Sequence, residues 1–66
     1  MKTLHLKMEI YSYEAIRAAT QDYSGLCSIK VTKADDEWLV SLSDCKYDED
    51  RTALEFENYL IGLENT

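Results

Sequence analysis

Leu4, Leu6, Met8 and Ile10 alternate with His5, Lys7 and Glu9, and a period of two is the mark of a strand with one buried face. The alternation predicts a strand reaching from about Leu4 to Ile10. Ser12 follows as an N-cap, with Glu14 in the first turn, where the helix dipole favours an acid. Ile16, Ala19, Thr20 and Tyr23 then recur at helical spacing. Gly25 stands where a helix end accepts a left-handed residue. One helix is predicted over 13–23.

Two further alternating runs come next. Cys27, Ile29 and Val31 interleave with Ser28, Lys30 and Thr32, and Trp38, Val40 and Leu42 interleave with Leu39, Ser41 and Ser43. Pairing Ile29 with Leu42 and Val31 with Val40 sets four apolar side chains on one face and closes a hairpin through Asp35-Asp36. A slip of one residue would turn Ser41 and Ser43 into that face, so the register is well specified. Asp48, Glu49 and Asp50 then suit the start of a last helix, Asp50 being the expected cap, and the helix runs to about Leu63.

The order strand–helix–strand–strand–helix limits the architecture. A strand–helix–strand unit in one sheet is expected to cross over right-handedly. Strands with one apolar face place both helices on a single side. The third strand, carrying Trp38, Leu39, Val40 and Leu42, is the most apolar and belongs in the centre. The prediction is a single α+β domain over 1–66, with an antiparallel sheet of order 1-3-2, a ferredoxin-like βαββα unit lacking its last strand. The outer edge of the first strand is then uncovered, with Lys7 and Glu9 as the kind of charges that blunt such an edge.

Composition narrows the function. The chain has 66 residues with seven Lys+Arg against thirteen Asp+Glu, a net charge of −6. A nucleic-acid binder needs clustered cations to displace counterions, so no nucleic-acid partner is expected. No apolar run approaches the roughly 18–20 residues of a membrane span, and the N-terminal alternation lacks the apolar block of a signal peptide. A soluble, cytoplasmic protein is the expectation. The charge is unevenly spread. Residues 1–34 carry five cations and three acids (+2), and 35–66 carry two cations and ten acids (−8).

Candidate chemistry is sparse. Cys27, Cys45 and His5 fall short of the four ligands of a structural zinc site. Cys27 lies on the core face and His5 on the opposite one, which keeps them from acting as a nucleophile–base pair. Cys45 is expected to point away from Cys27, leaving both as free thiols. The acidic segment Asp44–Asp50 lacks the alternating ligands and central glycine of a calcium loop, and no glycine-rich phosphate cradle exists. The residues support no catalytic set, no metal site and no cofactor.

The last helix is more informative. Ala53, Phe56, Leu60 and Leu63 form a core stripe. Tyr59 widens it on one flank and Leu54 and Ile61 on the other. This arc exceeds what one sheet can cover. Leu54, Asn58 and Ile61 are therefore the candidate partner-binding residues, unless they tuck against the first helix. Lys7 and Glu9 mark the strand edge as a second candidate.

Ile10-Tyr11-Ser12-Tyr13-Glu14-Ala15-Ile16, followed by Ala19 and Tyr23, resembles the opening of HxsD-type proteins, small accessory members of His-Xaa-Ser peptide-modification systems. Glu55-Phe56-Glu57-Asn58-Tyr59-Leu60-Ile61 is similar to that family's E-F-x-N-x-L block. The resemblance implies a non-catalytic partner of a radical S-adenosylmethionine enzyme that modifies a ribosomally made peptide. It brings no catalytic residues. The alternatives are an acidic decoy that occupies a basic site on another protein, and a homodimer.

Overall fold

The computed structural model describes residues 1–65. Five elements follow in order: β1 (Lys2–Lys7), α1 (Tyr13–Asp22), β2 (Ser28–Ala34), β3 (Glu37–Ser43) and α2 (Glu49–Glu64). The sheet order is β1-β3-β2, with β3 antiparallel to both neighbours. The βαββα unit with a 1-3-2 sheet is thus the architecture of the chain.

The hairpin register is the one that keeps the apolar set together. Ile29 faces Leu42 and Val31 faces Val40, and Ala34 opposite Glu37 leaves Asp35-Asp36 as the loop. Asp35 takes the positive φ (46°) that a tight hairpin asks of its first loop residue. On the other side Leu4 meets Val40 and Leu6 meets Trp38. These side chains share one face with Ile16 and Ala19 of α1 and Ala53, Phe56 and Leu60 of α2, which close over it as the core. Thr52 is buried beside them, its hydroxyl donating to Asp48 O at 2.7 Å.

Three boundaries differ from the sequence reading. β1 ends at Lys7, and Met8, Glu9 and Ile10 form a turn. Ile10 N and Tyr11 N both donate to Lys7 O, and Ile10 is left 61% exposed. The chain must leave the sheet here to climb into α1, which overrides the alternation. Glu9 therefore sits on the turn and not on the strand edge. Asp48, not Asp50, caps α2, its Oδ2 accepting from Arg51 N at 2.9 Å. Gly25 is not left-handed either; α1 closes at Tyr23 with ordinary negative φ.

The larger correction concerns the cysteines: Cys27 and Cys45 are joined in a disulfide. Regular continuation of the hairpin beyond Ser28–Ser43 would set Cys27 opposite Asp44 and Leu26 opposite Cys45. Asp44 instead adopts a left-handed φ of 50°, and Lys46 N donates to Leu26 O at 2.7 Å. One extra residue is accommodated on the β3 side, a bulge that re-aims the next side chain. Cys45 swings to the core side and meets Cys27.

Two contacts position the helices. Ser12 caps α1 with its own Oγ, accepting from Ala15 N at 3.2 Å. Glu64, at the far end of α2, accepts from Ser12 N at 2.7 Å and from Ser12 Oγ at 3.0 Å. An acid at the positive end of α1 is electrostatically favourable, and here it ties the two helices together. At the start of α2 the N-terminal ammonium pairs with Glu49 at 2.8 Å and Lys2 with Asp50 at 3.4 Å. Helix α2 thus lies along β1, with both running in one direction.

Candidate functional site

Helix α2 spends its apolar residues in two directions. Phe56, Leu60 and Ala53 face the sheet and are fully buried. Leu54 and Ile61 point away from it, 60% and 43% exposed, with the exposed Asn58 between them. They do not tuck against α1. The flank of α2 that meets α1 is the one bearing Tyr59 and Phe56: Tyr23 packs edge-on to Phe56 at 5.4 Å and tilted against Tyr59 at 5.6 Å. The Tyr59 hydroxyl donates to the Asp22 carboxylate at the end of α1. The opposite flank carries Asp50, which reaches Lys2 on β1. Both neighbours are thereby accounted for, and the Leu54–Asn58–Ile61 face has neither.

The chemistry of that face is aliphatic with an acidic border. Along α2, Glu49, Asp50, Glu55, Glu57 and Glu64 stand against the single cation Arg51, whose Nε lies 3.4 Å from Glu55 Oε1. The Asn58 side-chain amide has no hydrogen-bond partner within the chain among the described residues. Two tyrosines near the helix pair are held in their neutral form. Tyr59 is raised above the usual phenol value of 10 by its bond to Asp22, by burial and by the Asp22 charge. Tyr23 is raised by burial and by the Glu55 carboxylate.

The second candidate region is the outer edge of β1, whose only sheet neighbour among the described residues is β3. Met8 N donates to Asp36 O at 2.9 Å, so the alternation of the ladder aims the backbone groups of Leu4 and Leu6 at β3 and those of Thr3 and His5 outward. Lys7 stands at the end of this edge, exposed. His5 Nδ1 lies 3.2 Å from Glu37 Oε1 on the open face of the sheet. The edge thus offers two unpaired residues, with Lys7 beside them and Glu9 moved off to the turn.

Among the described residues no three His, Cys, Asp or Glu groups gather to hold a metal ion. A shallow cavity of about 360 Å³ lies at the start of α2, lined by Leu26, Tyr47, Asp48, Arg51, Thr52 and Glu55. Asp48 is already engaged as the cap and Arg51 sits beside Glu55. Sequence reasoning missed the Glu64–Ser12 tie and the Tyr59–Asp22 bond, because both join residues far apart in the chain. No helix among the described residues is long and apolar enough to cross a membrane. No protein-family model matches this chain, and no curated protein or solved structure matches it either.

Proposed function

We propose that this domain is a non-catalytic binding module, an accessory protein that recruits another protein or peptide, and that it serves a peptide-modifying enzyme, as the accessory proteins its sequence resembles do. One observation carries the binding reading. A 16-residue helix that fills its core contact completely still presents Leu54 and Ile61 to solvent, side by side with an unpartnered Asn58. Burying two such aliphatic side chains on contact is worth roughly 1.5–3 kcal/mol each. The assignment to peptide maturation rests on the resemblance of the Ile10–Ile16 and Glu55–Ile61 segments.

The test is a tagged copy expressed beside the wild type with Leu54→Asp and Ile61→Asp together. The variant is expected to keep its circular dichroism and melting temperature and to lose the partner that the wild type retains. If the wild type retains no partner across salt conditions, the binding reading fails. Its acidity favours a second reading, an acidic decoy on a basic site. That reading predicts binding that collapses once added salt brings the screening length below about 8 Å, with little sensitivity to the aliphatic pair.

A further inference from the structure

We propose that the outward face of α2 is one side of a two-helix seam, and that its other side is a basic amphipathic helix of a different protein. The inference rests on the binding reading above and specifies its partner. Leu54, Asn58, Ile61 and Asn65 follow one another at steps of four, three and four residues. This is the spacing that lines up along one helix–helix seam, with Leu54 and Ile61 at one kind of seam position and Asn58 and Asn65 at the other. Asn65 is held to its own helix, its Nδ2 donating to Ile61 O at 3.1 Å. Asn58 is not held, and its exposed amide sits midway along the seam. A polar asparagine at such a position sets register between paired helices, and of the two only Asn58 has an amide not engaged within the chain among the described residues.

The border of the seam decides the occupant. The residues that flank it, in the positions that meet a partner helix's own flanks, are Asp50, Glu55, Glu57 and Glu64, together with Gly62. All four of these charges have one sign; the one cation of the helix, Arg51, precedes Leu54 by three residues and is turned to Glu55. Asp50 reaches Lys2 and Glu64 holds Ser12, while Glu57 stands on the rim with no ion pair among the described residues. A second copy of this chain would bring acid against acid in either helix orientation, so self-pairing through this face is disfavoured. A helix with leucine or isoleucine on its stripe and lysine or arginine on both sides complements it. This face spans about 16 Å from Leu54 to Asn65, at ~1.5 Å per residue. That is about three turns in all, roughly one before Asn58 and two after it. A partner helix this short is marginal alone in water, so it is presented by a folded domain or ordered on binding.

The probe is a synthetic three-heptad peptide with leucine on the stripe, asparagine at one central stripe position and lysine at the flanks. Two controls are used: a peptide of the same composition with the stripe scrambled, and a striped peptide with glutamate at the flanks. Calorimetry against the full chain at 0.15 M salt is expected to show binding of the striped basic peptide only. Leu54→Asp with Ile61→Asp should weaken it by about 100-fold, which is ~2.8 kcal/mol at 1.4 per decade. Glu57→Lys should weaken it several-fold while leaving the fold intact. Equal binding of the scrambled peptide would overturn the proposal, since charge alone would then explain it. So would binding of the acidic striped peptide, or self-association of the wild type that Ile61→Asp abolishes. If a tagged copy keeps its cellular partner in both wild type and variant, the binding module stands but this face is not where it binds.

Discussion

Reduction of the Cys27–Cys45 bond should cost this domain most of its stability. The bridge closes a segment of 18 residues that covers the whole β2–β3 hairpin. In the chain-entropy picture, opening a loop of that length returns about 3 kcal/mol of conformational freedom to the unfolded chain. A domain of this size has roughly 3–5 kcal/mol in total. Each kcal/mol moves the midpoint by about 4–8 °C in so small a protein, so the melting temperature should fall by ~12–24 °C. The assay is circular dichroism melting of the same preparation with and without a phosphine reductant, with intact mass confirming the change of thiol state. Cys45→Ser should reproduce the reduced curve, because Cys45 is only half-buried and leaves little cavity. A reduced protein that melts within about 3 °C of the oxidised one would refute the reasoning. The hairpin would then be held by its register alone, and the bulge at Asp44 would be incidental.

Other perturbations separate local ties from the core. Glu64→Gln removes the charge that α2 brings to the α1 cap while keeping an oxygen near Ser12; a loss of about 1 kcal/mol is expected, read as a drop of a few degrees in the thermal midpoint. Phe56→Ala empties the centre of a fully buried cluster and should cost about 3–5 kcal/mol, enough that one-dimensional NMR shows a largely unfolded chain at room temperature. Tyr59 and Tyr23 both ionise above 10 in the folded state, so the native protein holds protons that the unfolded chain releases. Their contribution is complete below pH 10 and drains away as pH climbs past it. Tyr59→Phe should flatten that alkaline loss in urea titrations run from pH 9 to 11.

The fold was legible because the strand and helix periods agreed. The alternation at Ile29, Val31, Val40 and Leu42 left one register, and the stripe of Ala53, Phe56 and Leu60 left one buried face for α2. The same arithmetic left Leu54 and Ile61 either exposed or tucked against α1, since an arc that wide exceeds what a single sheet covers, and only the packing of the two helices decides between them. What escaped were events set by backbone geometry at single residues. The left-handed Asp44 inserts a residue and turns Cys45 towards Cys27, and an aspartate in sequence carries no mark of whether it will bend that way. Met8 and Ile10 continue the apolar alternation, yet the need to reach α1 pulls them into a turn and takes Glu9 with them. The Glu64–Ser12 and Tyr59–Asp22 ties depend on how two helices cross, which no local pattern encodes.

The most direct measurement is a map of amide chemical shifts on titrating the isotopically labelled chain with the striped basic peptide. Docking on α2 is expected to shift the amides along Arg51, Leu54, Asn58 and Ile61, with β1 and the open face of the sheet unmoved. Shifts concentrated at Thr3, His5 and Lys7 would place the partner on the strand edge instead, and would contradict the claim that α2 is the docking face.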